Sequence, residues 1–324
     1  MQRRESGKAV IRVVILAVLA ATGAAAAGCQ RAIKSTLAGA PTNAQLAELW
    51  VEPERNRDLF WGVGGKALAP DPNGRYTVVE IKRGGYSRGY TVTGPGDSDR
   101  EWSAKFPPEA STEVVASRLF WAVGYHQPPI YYLAEWQALK APSPNPQLPA
   151  RFREKDPDLA GMESETFWSY YENPFVGTRQ MNGMLVLHAM LGNSDLKDDQ
   201  NALYTLKKPL EGATRWYVAR DLGQSFGRSG VLDPPRGDPD VFDSTGFIRA
   251  VSNGKVRLEY HGRHKALFDH ITPADVRWIC DRLAALSDEQ LQDAFRAGGY
   301  PSSLSARFIR RLEQKIAEGR ALKD

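Results

Sequence analysis

A chain of 324 residues can bury a core in one two-lobed domain or two small ones, and with 42% apolar and 25% charged residues it is not the sequence of a disordered protein. Of its net charge of +4, three units come from Arg3, Arg4, Lys8 and Arg12 against Glu5, so the rest of the chain is close to neutral and no nucleic-acid partner is expected.

Those basic residues precede an apolar stretch, Val13 to Ala27, of signal-peptide length and short for a spanning helix. It ends Ala26-Ala27-Gly28-Cys29, which resembles the bacterial lipobox with Ala26 in place of the usual Leu. Residues 1–29 are read as a signal peptide ending in a lipobox-like Cys; cleavage without lipidation and an uncleaved anchor are the other readings. Each sends the body of the protein out of the cytoplasm, as a periplasmic or outer-face protein, and a lipid or anchor would tether it to the membrane. If Cys29 carries lipid, Cys280 is the only other thiol and no intramolecular disulfide can form. Val276, Ile279 and Leu283 around Cys280 suggest a buried helix position.

Residues 30–70 read as a tether with one short helix, Ala44 to Trp50, followed by Leu59-Phe60-Trp61, aromatics suited to pinning it on the body. A small lobe is expected over 71–134. Tyr76 to Lys82 and Tyr90 to Thr93 read as strands around Gly84-Gly85-Tyr86-Ser87-Arg88-Gly89, and Glu101 to Phe106 as a third containing Lys105. A glycine-rich turn between strands lets backbone N–H groups approach phosphate, although a plain hairpin explains Gly84, Gly85 and Gly89 as well. Ser111 and Thr112 mark a helix start, with Glu113 in its first turn. Ile130 to Leu133 reads as the strand that closes the lobe.

The remaining 135–324 reads as a mainly helical lobe. Residues 135–165, rich in proline and charge, suggest an exposed loop. Thr178 to Leu191 is a strongly apolar helix in which His188 reads as a packed core residue. It leads into Gly192-Asn193-Ser194-Asp195-Leu196-Lys197-Asp198-Asp199-Gln200-Asn201. Two β-like runs, Ala202 to Leu206 and Arg215 to Arg220, come next, and Asp221-Leu222-Gly223 follows directly. The stretch to Ser244 reads as loop, then a hairpin around Ser252-Asn253-Gly254, then helices over 272–286, 288–296 and 303–319. His261, His264 and His270 lie before these helices, without the intervening carboxylate of a metalloprotease helix.

Lys105, Glu113, the segment Gly192 to Asn201, and Asp221-Leu222-Gly223 occur in the order of a kinase. The chain resembles the atypical kinases, namely the HipA-type and phosphoinositide-kinase-like families. Gly192-Asn193-Ser194-Asp195 with Lys197 matches the HipA-type catalytic motif. The mature chain also resembles a group of exported bacterial proteins. The resemblance implies an α+β, two-lobed protein-kinase-like fold with a small antiparallel-sheet lobe. It implies that Lys105 holds the α- and β-phosphates of ATP, that Glu113 orients Lys105, and that Asp195 accepts the proton of a protein or small-molecule hydroxyl. Asn201 and Asp221 would hold Mg²⁺. Asn201 falls six residues after Asp195 where these families have five, so either a bulge or substitution by Asp198 or Asp199 is implied. The expected activity is an exported, membrane-tethered phosphotransferase. An inactive kinase-like scaffold of the cell envelope is the alternative, and a metal hydrolase on the acidic cluster and histidines a third.

Overall fold

Alternation in Glu101-Trp102-Ser103-Ala104-Lys105 makes the central strand two-sided: Trp102 and Ala104 enter an apolar core, whereas Ser103 and Lys105 face the opposite way. The computed structural model describes residues 31–96, 99–142 and 149–323; the leader and Cys29 readings fall outside these. Contacts divide the chain after Ala32, and every described helix and strand lies in the unit from Ile33 onward. Six strands form the small lobe's sheet: β1 (Arg75–Lys82), β2 (Gly89–Thr93), β3 (Glu101–Lys105), β4 (Ile130–Leu133), β5 (Gln137–Leu139) and β6 (Ala150–Glu154). Their spatial order is β4-β6-β3-β2-β1-β5, antiparallel throughout except for the β1–β5 edge.

One face of this sheet carries Tyr76, Tyr90, Trp102, Ala104 and Phe152, packed with Phe106 and Trp136. On the other face the register sets Lys82 opposite Gly89, Gly89 opposite Lys105, and Lys105 opposite Arg151, with Ser103 opposite Arg153 in the neighbouring row. Helix α1 (Glu109–Ala122) covers part of that face. It starts two residues before the expected Ser111, because the strand ends at Lys105 and Pro108 can precede a first helical turn without loss of a hydrogen bond. Glu113 therefore sits two residues further into the helix than expected, in its second turn. Twelve of the fourteen residues of α1 are buried, since the larger lobe packs on its other side.

Residues 135–165 differ from the loop that composition suggests. Arg151 and Arg153 alternate with Ala150, Phe152 and Glu154, and this two-residue period forms β6 between β3 and β4. The sheet thus extends to Glu154, and the lobe boundary lies beyond it instead of at 134. Next, β7 (Glu163–Thr166) joins a second sheet, in which β8 (Ala202–Leu210) lies between β7 and β9 (Ala213–Val218).

The larger lobe is built on α2 (Arg179–Leu191), capped by Thr178, whose hydroxyl accepts from the Met181 N–H. It ends at Gly192 with φ 77°, the left-handed cap that glycine adopts without strain. A short helix, α3 (Pro239–Ser244), interrupts the expected loop; Asp238 caps it and Pro239 fits its first position. The hairpin β10 (Ile248–Ser252) and β11 (Lys255–Leu258) turns at Asn253 and Gly254, both at positive φ. Helices α4 (Pro273–Ala284), α5 (Asp288–Ala297) and α6 (Ser302–Arg320) complete the lobe near their expected limits. Cys280 is buried in α4 and its thiol is pushed up to about 12, mainly by burial. The observed architecture is the expected one: α+β, two-lobed, an antiparallel sheet with one helix beside a mainly helical lobe.

Residues 33–70 lie against this body. Leu49 and Leu59 are fully buried, and Trp50 packs on Trp278. Buried Arg118 of α1 donates to the carbonyls of Trp61 (2.9 Å) and Ile130 (2.6 Å), so it ties the N-terminal segment to the sheet. Gly62 makes room, because a Cβ there would lie 2.3 Å from the guanidinium. Arg118→Leu leaves two carbonyls unpaired and should cost roughly 2–4 kcal/mol in urea unfolding; a midpoint equal to wild type would contradict this bridging role.

Candidate active site

Lys105 ends β3, and α1 begins four residues later, so the helix brings its first two turns over the ammonium. The Lys105 Nζ lies 2.8 Å from Glu113 and 3.5 Å from Glu109, and it also donates to Asp221. Glu109 and Glu113 are four apart and share a helix face, which is why both reach the same lysine. Arg151 approaches Glu113 from the next strand, its Nε 3.1 Å from one carboxylate oxygen. Burial draws Lys105 toward neutrality, but Glu113 and Asp221 outweigh it and hold the ammonium above its ordinary value. Burial likewise opposes ionised Glu113, and Arg151 and Lys105 more than compensate.

Asp221 arrives from the end of β9 with φ 59°, a left-handed backbone that aspartate and asparagine tolerate better than most residues. Gly223 then passes close under α1: a Cβ on it would lie 2.6 Å from the Glu109 Cβ. Thr112 donates to the Gly223 carbonyl at 2.6 Å. The Asp221-Leu222-Gly223 turn is therefore fixed to the helix that carries Glu109 and Glu113. Arg236, further along, pairs with Glu109 and lies over the Tyr86 ring, 3.6 Å from its centroid. That stack joins the glycine-rich turn to the segment following Asp221.

Between the lobes lies a cleft of about 830 Å³. Gly84, Gly85 and Gly89 line it together with Lys105, Asp195, Lys197 and Asp221. The first two glycines stand in open space, whereas a Cβ on Gly89 would strike the Ala104 carbonyl at 2.2 Å. Gly89 is thus required by close strand approach, and Gly84 and Gly85 leave the turn open. In the same turn the Ser87 hydroxyl is buried with no partner among the described residues. Glu113 is behind the cleft wall and acts through Lys105.

The loop after α2 is anchored by Ser194. Its hydroxyl donates to the Gly230 carbonyl at 2.8 Å and accepts from the Gly230 N–H and from the Gln224 amide. This leaves Asp195 at the cleft surface, 2.8 Å from Lys197 and accepting from the Gln200 amide at 2.9 Å. Asn201 corrects the expectation. It is 1% exposed, donates to the Trp168 carbonyl at 3.1 Å, and does not line the cleft. No bulge occurs; a short 3₁₀ turn over 198–200 sends Asn201 inward and brings Asp199 and Gln200 to the wall. Gln200, five residues after Asp195, holds the place expected of Asn201, and its Oε1 is buried without a partner among the described residues.

These are oxygen donors of the kind Mg²⁺ takes from one or two carboxylates plus the phosphates of its substrate. Among the described residues no three His, Cys, Asp or Glu side chains form a closed metal cage. The donors present fit a phosphate-assisted cation: Asp221 and Asp195, with the orphaned Gln200 Oε1. The histidines take separate partners: His261 pairs with Glu259, His264 with Tyr171 and His270 with Asn182. His188 is buried against Tyr170 and Phe120, and burial lowers it to about 3.

Sequence reasoning missed Glu109, Arg151, Gln200 and Arg236. The first lies one helical turn before Glu113, the second alternates with Phe152, and the third has the usual spacing from Asp195. Arg236 carries no such signal.

No family model matches the chain, and neither does any curated protein sequence. Among solved structures, the crystal structure of a Helicobacter pylori proinflammatory kinase, CtkA, is similar over 77% of this chain and 94% of that chain, at 12% identity and a TM-score of 0.40. A likeness that distant carries no residue role across.

Burial would raise the Asp221 carboxyl, but Lys105 above all, then Arg151 and Arg153, hold it down to about 2. An unfolded aspartate titrates near 4, so the stabilisation is complete above about pH 4 and is lost as pH falls toward 2. Asp221→Asn keeps the backbone conformation and removes that titration. Urea stability of wild type should fall more steeply than that of the variant between pH 4 and 2; parallel curves would contradict the pairing.

Proposed function

We propose that this protein is a phosphotransferase that uses ATP and Mg²⁺ to phosphorylate a hydroxyl of a protein or small molecule. The observation that carries the reading is the meeting of Lys105, Glu113 and Asp221 at a cleft roofed by the glycine-rich turn, with Asp195 on the opposite wall. Such a site needs little covalent chemistry from the protein; it works by positioning and charge neutralisation. Lys105, held charged by Glu113, binds the α- and β-phosphates. The open turn at Gly84 and Gly85 brings backbone N–H groups and the unpartnered Ser87 hydroxyl to phosphate oxygens. Asp221, with Asp195 and the Gln200 Oε1, would hold Mg²⁺, and the cation would supply neutralisation of the phosphate charge. Asp195 accepts the acceptor hydroxyl's proton, and Lys197 beside it steadies the incoming phosphate charge.

We further propose that residues 1–29 export the protein and that Cys29 tethers it to the membrane as a lipoprotein. The basic, apolar and small-residue run of that segment supports this reading.

One observation favours a second reading, a kinase-like envelope scaffold without turnover. Gln200 replaces the expected asparagine and spends its amide on Asp195, the proposed base. A longer side chain tied to the base holds a cation less directly.

ADP release from ATP, followed with Mg²⁺ and a panel of hydroxyl acceptors, separates the two. The enzyme reading expects turnover that falls by about 10²–10⁴-fold in Asp195→Asn and about 10²–10³-fold in Lys105→Met. Metal-dependent ATP binding with no turnover, and no effect of Asp195→Asn, would select the scaffold.

A further inference from the structure

The cleft wall carries nine Lys or Arg and five Asp or Glu among the described residues, and the excess positive charge is not spread evenly. Lys105 has Glu113, Glu109 and Asp221; Lys197 has Asp195; Arg236 has Glu109 and Asp233. Lys82, Arg153 and Arg220 also line the cleft, with less such support. Lys82 donates to the Ser103 hydroxyl at 3.0 Å and has no carboxylate within ion-pairing distance among the described residues. Arg220 bonds only neutral oxygens there, the Gln200 carbonyl at 3.3 Å and the Tyr204 hydroxyl at 3.2 Å. Arg153 comes within 4.0 Å of Glu113, whose carboxylate already serves Lys105 and Arg151.

The register explains how these cations come together. Lys82, Lys105 and Arg151 point from one row of the sheet, with Gly89 as the gap between the first two, and Arg153 extends from the next row beside Ser103. Like charges directly opposite one another in a sheet are destabilising, and here Lys105 faces Arg151 across the β3–β6 ladder. Burial first, then Arg153 and Arg151, lower Lys82 to about 8. Burial, then Arg220 and Arg151, lower Arg153 to about 10. The apolar side chains that line the cleft, chiefly Tyr86, Val231 and Pro234, belong to the glycine-rich turn and the segment after Asp221. Lys82, Arg153 and Arg220, with the Ser103 hydroxyl, offer charge and a hydroxyl instead.

We propose that Lys82, Arg153 and Arg220 form a second oxyanion subsite, which takes a phosphate-type group of the ligand beyond those held by Lys105 and the cation. The cleft's ligand set is then multiply phosphorylated, with an anionic group at Lys82, Arg153 and Arg220 as well as at Lys105. This deepens the nucleotide reading by naming the chemistry of a further group in the same cleft, and the subsite's affinity for anions needs no phosphoryl transfer. The group belongs either to the donor itself or to a separate phosphorylated acceptor.

Calorimetric titration of the full chain with inorganic tripolyphosphate in EDTA tests the subsite. Wild type should bind without metal, and Arg153→Gln and Arg220→Gln should each weaken binding by about tenfold or more, the value of a charge-assisted hydrogen bond. Lys82→Gln, whose side chain holds only one hydroxyl, is the variant least coupled to folding and should weaken binding in the same direction. Affinity within twofold of wild type in a folded variant, or no metal-free binding at millimolar tripolyphosphate, overturns the proposal. Repeating the titration with saturating ATP and Mg²⁺ identifies the source. If ATP blocks tripolyphosphate and itself loses affinity in the variants, the group is the donor's. If inorganic phosphate still binds beside ATP in an Arg220-dependent way, the group is the acceptor's. Failure of the nucleotide reading looks different: ATP binding would gain nothing from Mg²⁺ while tripolyphosphate binding stayed intact.

Discussion

The ion pair between Lys105 and Glu113, with Asp221 as third member, is the constraint on which the arrangement of the two lobes depends. Partly buried charges are tolerable only when each has partners, and the partners here come from four different elements. Lys105 is on β3, Glu113 on α1, Arg151 on β6, and Asp221 at the end of β9. Satisfying them together requires α1 to sit on the sheet face and the Asp221 turn to pass beneath α1. Gly223 allows that passage and Thr112 fixes it. A helix buried on nearly every side is the consequence, so its sequence shows no single apolar stripe.

The same constraint explains why the site is continuous from the glycine-rich turn to the loop after α2. Glu109, on the helix face that holds Lys105, also binds Arg236, and Arg236 covers Tyr86 of the turn. Ser194 ties the Asp195 loop to Gly230 and Gln224, within the stretch that Asp221 begins. Asp195 and Asp221 are thereby positioned through a shared segment.

Much of this was legible in the sequence because it is periodic or punctuated. Strand alternation around Lys105, the cap at Thr178, and the Asn253-Gly254 turn each announce themselves within a few residues. The strand at 150–154 was hidden by its setting: Arg151 and Arg153 look like solvated charge until the sheet places them opposite Lys105 and Ser103. Helix α1 starts early because Pro108, three residues past the strand, can stand before a helix. Asn201 misled for a different reason. Residue type pointed to it and spacing pointed to Gln200, and the 3₁₀ turn followed the spacing. The partnership of Arg236 with Glu109, 127 residues away, has no local signature at all. Neither does the cationic row, since its members come from β1, β3 and β6 and meet only through register.

We propose that Asp221 and Lys105 together make a metal-assisted phosphate site. Calorimetric titration with ATP, at saturating Mg²⁺ and in EDTA, tests it most directly when wild type is compared with Asp221→Asn and Lys105→Met. Mg²⁺ is expected to strengthen ATP binding to wild type by about tenfold or more. That gain should vanish in Asp221→Asn, and Lys105→Met should weaken binding under both conditions. Equal affinity with and without Mg²⁺, or a metal effect that survives Asp221→Asn unchanged, would contradict it.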